Sequence, residues 1–352
     1  MISLIKRNKQ NLYANTDLDK AIICSHLERK LENALSSSAV PVGNKNLVYF
    51  SIGGNELYIS VLEMSLKSIV KFTPEINFDI LFITQQTFVE KINALPCVQN
   101  LNINFCIVPE TTDGISASMN KLRIFEYERI NEYNKILFLD CDIICPRPLS
   151  DLFLDDIDPR YIQVAQRTEI DSNVLSDAVR DNGIITSLNH SLKYFTKEQA
   201  LYIEKESPVP FNAGQFMFVN SDQMRNHFEN ILWLISVWPG DYFFEQSFMN
   251  FYFTLNALTK WETFNKKISF IFINPKNIPS NKLVEEKMSI SNNNGKYVVY
   301  VKRKEPKPVF THDTTKIDIS PRYMLHFIGM TLNADAKISE ITNFLAENNI
   351  CL

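Results

Sequence analysis

The alternation of short apolar segments with amphipathic ones most constrains what this chain can fold into. Runs rich in β-branched and aromatic residues predict buried strands at 46–52, 78–83, 102–108 and 135–139. Between them, the helical spacing of apolar residues predicts helices at 57–72, 88–95 and 118–130. This pattern indicates an α/β fold, with a mainly parallel central sheet that helices flank on both faces. Ligands of such sheets bind beyond the carboxyl ends of the strands.

The second half of the chain has a less regular pattern. The elements predicted there are strands at 161–165 and 215–219, helices at 222–238 and 244–258, and a hairpin with strands at 288–291 and 297–301. Weak helical periodicity at 18–35 lies within a polar and charged N-terminal stretch.

Composition excludes several classes of protein. The 36 basic and 40 acidic residues give a net charge of -4, too balanced for a general nucleic-acid binder. No run approaches the ~20 apolar residues of a membrane span, and no apolar segment follows the basic N-terminus as in a secretory signal. Only 9 glycines occur, and the phosphate loops G-x-G-x-x-G and G-x-x-x-x-G-K-[ST] are absent. The six cysteines form no C-x-x-C pair, which favours reduced thiols in a cytoplasmic protein.

Two carboxylates directly follow the strand predicted at 135–139. Asp140 and Asp142 are spaced i, i+2, so in extended backbone their side chains point to the same side. Because like charges repel there, a divalent cation is the simplest group that makes the pair favourable. Carboxylate oxygens suit Mg²⁺ or Mn²⁺, which also bind the phosphates of nucleotides. A surface turn also explains an isolated D-x-D, but the apolar strand before this one favours the metal site.

A strand that ends in D-x-D also resembles the haloacid-dehalogenase phosphatases, in which the first Asp is a nucleophile. In that family the pair usually lies near the start of the domain. Here three predicted strands precede Asp140, which argues against a phosphatase.

Five further motifs accompany the D-x-D in a definite order along the chain. They are SIGGNELY at 51–58, NKL at 120–122, FNAG at 211–214, FEQSFMN at 244–250 and MLHFIG at 324–329. Together these motifs resemble those of glycosyltransferase family 8, the nucleotide-sugar transferases that include glycogenin and bacterial lipooligosaccharide galactosyltransferases. The resemblance covers about residues 46–330 and implies the GT-A fold, a Rossmann-like α/β architecture.

The resemblance assigns a role to each motif. The metal ligands that it implies, for Mn²⁺ or alternatively Mg²⁺, are Asp140, Asp142 and His326. The residues to which it assigns binding of the UDP-sugar are Asn55, Glu56, Tyr58, Lys121, Gly214 and Gly329. Those that it places near the transferred sugar are Asn212, Glu245 and Gln246.

This sequence departs from the family pattern at three places. Glu56 and Glu245 stand where the family usually has Asp, and each side chain is longer by one methylene. The family also has a Lys shortly after the glycine that corresponds to Gly329, and no Lys stands there in this chain. Stabilisation of the leaving group then depends on Lys121, the metal ion or Lys337.

The resemblance implies a division of the chain and an activity. Residues 1–45 form an N-terminal extension, 336–352 a C-terminal helix, and 46–335 the catalytic domain. Within that domain, 46–150 form the nucleotide-binding half and 151–335 the sugar and acceptor half, with an insert at about 276–320 and a mobile lid at 166–210.

The expected reaction transfers a hexose from a UDP-sugar to a glycan, a lipid-linked saccharide or a protein, with retention of configuration. The alternatives are a nucleotide-sugar-binding protein without activity and, less favoured, a phosphatase. The expected location is cytoplasmic, with peripheral attachment to a membrane as the alternative.

Overall fold

The computed structural model describes residues 16–111, 114–166, 192–195, 211–237, 245–272, 283–293, 296–307, 322–328 and 334–352. The α-helices within these ranges are α1 (Thr16–Leu35), α2 (Tyr58–Phe72), α3 (Gln86–Asn93), α4 (Gly114–Met119), α5 (Asp222–Val237), α6 (Glu245–Met249) and α7 (Ala334–Glu347). The strands are β1 (Lys45–Ile52), β2 (Phe78–Thr84), β3 (Ile103–Ile107), β4 (Tyr133–Leu139), β5 (Ile143–Ile144), β6 (Ile162–Gln166), β7 (Leu192–Phe195), β8 (Phe211–Val219), β9 (Thr259–Lys260), β10 (Ile268–Phe272), β11 (Leu283–Asn293), β12 (Lys296–Lys307) and β13 (Met324–Ile328). Most of the predicted lid and Gly329 lie outside the described residues.

A seven-stranded sheet forms the centre of the described structure, in the order β3-β2-β1-β4-β8-β6-β9. The first four of these strands are parallel, whereas β8 runs antiparallel to β4 and to β6. The predicted α/β fold with a mainly parallel sheet is therefore confirmed. Because β8 is antiparallel, its first residues lie at the carboxyl end of β4, where the amide of Asp140 donates to the carbonyl of Gly214 at 2.7 Å.

Both faces of the central sheet are covered, as β1 illustrates. Leu47 and Tyr49 contribute to the core cluster that includes residues of α1 and α5. Val48 and Phe50 contribute to the cluster that includes residues of α2 and α7. Successive side chains of a strand point to opposite faces, so a strand that is apolar at every position is buried on both sides.

A smaller sheet, in the order β10-β13-β5, adjoins the D-x-D segment. In it Ile143 is paired antiparallel with His326. The amide of Phe327 also donates to the carbonyl of Asp142 at 3.1 Å. The chain that leaves the D-x-D is therefore paired with the strand that carries His326.

The predicted hairpin is confirmed but is longer than the sequence pattern indicated. β11 and β12 pair antiparallel from Asn293 and Lys296 at the turn to Leu283 and Lys307. β12 also pairs with β7, which makes a third sheet of three strands.

Two predicted helices are wrong in extent. The helix predicted at 118–130 is a short α4 followed by a 3-10 helix, Asn120–Glu126, in which Arg123 leaves helical geometry. The helix predicted at 244–258 is α6 followed by one π-helical segment, Asn250–Thr254. Lys121 belongs to the 3-10 segment and Asn250 to the π-helical segment, and such departures from α-helical geometry are frequent at functional sites.

Candidate metal centre

Asp140, Asp142 and His326 converge just beyond the carboxyl end of β4. Their ligand atoms, one from each residue, all lie within 4.8 Å of one another. Nε2 of His326 is 3.3 Å from Oδ1 of Asp142 and 4.0 Å from Oδ2 of Asp140. The structure thus brings together the three residues that the resemblance implied as metal ligands.

Gly214 forms the wall of this cluster on the β8 side. A Cβ atom at this position would clash with Cε1 of His326 and would lie 2.6 Å from Oδ2 of Asp140. The amide of Gly214 donates to Oδ1 of Asn212 at 2.7 Å, which holds the Asn212 side chain against the same turn of backbone. A side chain at position 214 would therefore displace the candidate ligands themselves.

Lys121 is buried between two carboxylates. Its Nζ lies 3.1 Å from Oδ1 of Asp140 and 2.7 Å from Oε1 of Glu245. It also donates to the carbonyl of Ala213 at 3.2 Å and lies 4.6 Å from the ring centroid of Phe138. Burial lowers the pKa of Lys121, but the charges of Asp140 and Glu245 outweigh burial and raise the pKa above its usual value. Lys121 is thus a permanent positive charge beside the cluster.

A second lysine, Lys337, contacts Asp142. Nζ of Lys337, on α7, contacts Oδ2 of Asp142, while Oδ1 faces His326. Burial raises the pKa of Asp142, but the charges of Lys337 and His326 outweigh it and hold the pKa below its usual range. For Asp140, burial and the charge of Asp142 outweigh the attraction of Lys121, so its pKa is raised. Neighbouring cations therefore compensate the charge of Asp140 less than that of Asp142.

These residues fit a divalent metal ion. Two carboxylates and an imidazole form a donor set that transition ions such as Mn²⁺ accept. Oδ1 of Asp142 is buried and faces Nε2 of His326 at 3.3 Å, and Oδ2 of Asp140 faces the same ring nitrogen at 4.0 Å. Two carboxylates of like charge that converge in this way repel each other, and a divalent cation between them would offset the repulsion.

The start of β8 is fixed by two amide side chains from the neighbouring helical segment. Asn250 accepts a hydrogen bond from the amide of Phe211 at 2.8 Å and donates to its carbonyl at 2.9 Å. Oε1 of Gln246 accepts from the amide of Ala213 at 2.9 Å. The predicted sugar-site residues Asn212, Glu245 and Gln246 therefore lie together around the first residues of β8.

The predicted nucleoside residues lie in the turn that follows β1. Oδ1 of Asn55 accepts a hydrogen bond from the amide of Leu57 at 3.0 Å, which closes the turn. Tyr58 begins α2 and is 41% exposed. Glu56 forms an ion pair with Lys91 of α3.

The sequence patterns missed part of this site. They named Lys337 only as one of three sources of charge, and they did not single out Tyr49, whose hydroxyl donates to the carbonyl of Lys121 at 3.0 Å. For Tyr49 no signal was present, because an apolar strand position predicts only burial. For Lys337 a signal existed, since this residue shares a helix face with the apolar Ile341 and Leu345.

Comparison with known proteins assigns the chain to a family. The sequence profile described as "Glycosyl transferase family 8" matches residues 50–341. The chain therefore belongs to glycosyltransferase family 8. The family predicted from the D-x-D and its accompanying motifs is confirmed.

Individual relatives match parts of the chain. Galactinol synthase 4 of Arabidopsis thaliana is 28% identical over 170 residues, which are 47% of this chain and 46% of that protein. Galactinol synthase 7 of the same plant is 32% identical over 140 residues, 38% of this chain and 37% of that protein. The chain thus spans less than half the length of these curated relatives.

Among solved structures, the apo form of the bifunctional glycosyltransferase WbbM superposes with a TM-score of 0.50 at 15% identity. The match covers 89% of this chain and 52% of that one, and it bears on the fold alone. None of the described helices combines the length and the apolarity that a membrane crossing requires.

Proposed function

We propose that this family 8 glycosyltransferase transfers a hexose from a UDP-sugar to an acceptor hydroxyl with retention of configuration. The observation that carries the proposal is the cluster of Asp140, Asp142 and His326 at the carboxyl edge of the sheet. Open α/β sheets bind their ligands at this edge. A nucleotide sugar brings a negatively charged diphosphate, which needs cations there.

Mn²⁺ is the proposed ion, with Mg²⁺ as the alternative, because an imidazole ligand favours the softer transition ion. Asp140, Asp142 and His326 would hold it. When bound, a divalent cation acts as a Lewis acid that offsets the charge developing on the leaving diphosphate. Lys121 adds a fixed positive charge next to Asp140.

Glu245 is proposed to orient the transferred sugar. Its Oε1 is held by Lys121. Its Oε2 is buried and accepts no hydrogen bond from any described residue. A hydroxyl of a bound hexose would donate a hydrogen bond to this oxygen. Because a buried acceptor without a hydrogen bond is costly, this bond would favour binding of the hexose. Asn212 and Gln246 would complete the sugar site, since the β8 backbone fixes both side chains.

The uridine is proposed to bind at the turn after β1. The exposed ring of Tyr58 offers a face on which a pyrimidine can stack. Asn55 is assigned the hydrogen bond to the base, and Glu56, which pairs with Lys91, is assigned no direct contact. The backbone at Gly214 and Gly329 is proposed to lie near the sugar and the diphosphate respectively.

The acceptor is proposed to be a glycan, a lipid-linked saccharide or a protein. The proposed location is the cytoplasm, with attachment to a membrane surface as the alternative. No contact with nucleic acid is proposed, because the net charge of -4 gives no basis for a general electrostatic attraction to phosphate backbones.

A panel of UDP-sugars tests the proposed function. The full chain is incubated with each sugar and Mn²⁺, and release of UDP and release of inorganic phosphate are measured separately. We expect UDP release with at least one donor, even without acceptor, through slow transfer to water. Addition of chelator should abolish it.

Asp140→Ala is the variant for this assay, and Asp158→Ala is its matched control, because Asp158 pairs with Arg160 on the surface. Asp140→Ala should lose metal-dependent release without unfolding, whereas Asp158→Ala should keep it. Phosphate release instead of UDP release would indicate the phosphatase. Binding of UDP without any release would indicate the protein without activity.

A further inference from the structure

Helix α1 lies outside the segment that the family profile matches, yet it contributes to the core. The profile matches residues 50–341, whereas α1 ends at Leu35. Leu27 is buried in the core cluster that also contains residues of α5, and Leu31 packs against that cluster. The helix therefore shares a hydrophobic core with the matched segment.

A buried amide joins α1 to two other elements. Nδ2 of Asn230, on α5, donates to the carbonyl of Lys30 on α1 at 3.0 Å and to the hydroxyl of Tyr252 at 2.9 Å. Nδ1 of His227, one turn earlier on α5, lies 3.0 Å from the same hydroxyl. Asn230 is 6% exposed, and Tyr252 and His227 are fully buried. Because buried polar groups need hydrogen-bond partners, these side chains depend on one another.

Tyr252 lies in the π-helical segment that holds the start of β8. Asn250, in the same segment, bonds both the amide and the carbonyl of Phe211. Nδ2 of Asn250 also donates to the carbonyl of Gln246 at 3.0 Å, and Oε1 of Gln246 accepts from the amide of Ala213. The backbone that carries Tyr252 is therefore continuous with the backbone that fixes the first residues of β8.

The π-helical segment couples the position of Tyr252 to that of Asn250. All five of its residues, Asn250–Thr254, are buried, and the hydroxyl of Thr254 donates to Oδ1 of Asn250 at 3.2 Å. Single π-helical turns are rare and frequently lie at functional sites. Because a protein interior is close-packed, a displacement of Tyr252 would move Asn250, and with it the backbone at Phe211.

We propose that Asn230 and Tyr252 are positioning residues for the transferred sugar, and that α1 anchors them through the carbonyl of Lys30. Asn212, a proposed sugar ligand, belongs to the start of β8 that this support fixes. The inference rests on the proposed function for the identity of the ligand. Within the described structure, neither positioning residue is hydrogen-bonded to the elements that carry the candidate metal ligands.

Tyr252→Phe in the full chain tests the support in the absence of any ligand. The phenyl ring keeps the packing and removes only the hydroxyl, so Asn230 loses one acceptor. Hydrogen exchange of a peptide that contains residues 211–215, followed by mass spectrometry, measures opening at the start of β8. We expect exchange there to accelerate roughly tenfold, as for a local opening that one fewer hydrogen bond opposes.

Calorimetric binding of Mn²⁺ alone, and of UDP, UDP-glucose and UDP-galactose at saturating Mn²⁺, shows what this opening affects. In Tyr252→Phe we expect the affinity for the sugar nucleotide that the wild type binds to fall roughly threefold to tenfold. Mn²⁺ and UDP should bind as they do to the wild type, because the amide of Asp140 remains bonded to the carbonyl of Gly214. A structural defect of the whole domain would lower all of these affinities together.

Asn230→Leu tests the anchor on α1. It removes the donor to both the carbonyl of Lys30 and the hydroxyl of Tyr252. Exchange should accelerate at residues 29–35 of α1 as well as at 211–215. Added to Tyr252→Phe, it should change the exchange at 211–215 little further, because both substitutions break the same contact. If Tyr252→Phe does not fold, Asn230→Leu is used for the exchange and binding measurements.

Tyr133→Phe is the matched control, since Tyr133 is also fully buried and its hydroxyl donates to Asp79 at 2.8 Å. Tyr133 begins β4, whereas the candidate metal centre lies beyond the other end of that strand. The control loses a comparable buried hydrogen bond. It should nevertheless keep the wild-type exchange at 211–215 and all wild-type affinities.

Wild-type exchange at 211–215 in both Tyr252→Phe and Asn230→Leu would overturn the inference. Equal acceleration in Tyr133→Phe would also overturn it, because exchange would then follow overall stability. Equal losses of affinity for UDP and for the sugar nucleotide would exclude a role in positioning the sugar. If the wild type binds neither UDP nor a sugar nucleotide, the proposed function fails, and the exchange at 211–215 still decides whether α1 supports the start of β8.

Discussion

Nζ of Lys121 lies 2.7 Å from Oε1 of Glu245, and each side chain is only 5% exposed. Because Asp140 lies on the other side of the ammonium, one lysine neutralises parts of two carboxylates from different segments of the chain. Lys121 precedes β4, whereas Glu245 begins α6. The ion pair therefore ties the proposed sugar site to the candidate metal centre.

Removal of this lysine should destabilise the protein strongly. Lys121→Met leaves Glu245 and Asp140 buried without their cation, a loss of about 3–5 kcal/mol in the free energy of unfolding. Urea denaturation measures it. Glu245→Gln added to Lys121→Met should recover part of the loss, because it removes one uncompensated charge. Lys45→Met, which breaks an exposed pair with Glu132, is the control and should have little effect. Equal stability of the two lysine variants would contradict the buried pair.

Gly214→Ala should impair metal binding while the protein remains folded. The new methyl group would displace His326 and Asp140, so the affinity for Mn²⁺ should fall roughly tenfold to a hundredfold. Gly53→Ala is the matched control, since its nearest neighbour would lie 3.5 Å away, at ordinary contact distance. Titration with Mn²⁺ in the absence of nucleotide measures both. Undiminished affinity in Gly214→Ala would show that the ion does not bind between these side chains.

Asn250→Ala should loosen the start of β8. The substitution leaves the buried amide and carbonyl of Phe211 without their partner, at a cost of about 2–4 kcal/mol in the free energy of unfolding. Since Asn212 follows directly, the affinity for UDP-sugar should fall more than the affinity for UDP. Asn348→Ala, at an exposed helix end, should change neither quantity. Equal losses for UDP and UDP-sugar would argue against a sugar site at β8.

His227 makes the stability depend on pH. Its Nδ1 lies 3.0 Å from the hydroxyl of Tyr252, which also accepts a hydrogen bond from Asn230, and the imidazole is buried. Burial lowers the pKa of His227 to about 4 from its ordinary 6.5. The unfolded chain thus binds more protons than the folded chain in this window, and stability falls as the pH drops through it.

The variant His227→Gln isolates this contribution. Relative to the variant, the wild type should lose roughly 3 kcal/mol of unfolding free energy between neutral pH and about pH 4. Chemical denaturation at a series of pH values measures the difference, in which the carboxylates common to both proteins cancel. Parallel pH profiles of wild type and variant would contradict a buried neutral imidazole.

The parts of the structure that follow from local sequence were predictable. The apolar run of β4 predicted a buried strand, and two like charges, Asp140 and Asp142, at the end of that strand predicted a metal site. The join between α4 and the 3-10 helix was not predictable, because the periodicity at 118–130 continues through Arg123, where the backbone leaves helical geometry.

The remaining site residues depend on contacts between distant segments. An isolated histidine in an apolar strand indicates only a buried position, and it is the pairing of β13 with β5 that brings His326 to Asp142. The family resemblance predicted His326 as a metal ligand, whereas the local sequence pattern did not. For Lys337 the family pattern gave no match, since the family has its lysine elsewhere, and the one local signal was the helix face that Lys337 shares with the apolar Ile341 and Leu345.

Pulsed electron paramagnetic resonance of bound Mn²⁺ tests the central claim most directly, because it detects the nuclei of the ligands. We predict coupling to one imidazole nitrogen in the wild type, its absence in His326→Ala, and an added coupling to phosphorus when UDP is supplied. The spectrum of the free aqueous ion in the wild type, or a nitrogen coupling that survives His326→Ala, would contradict the account.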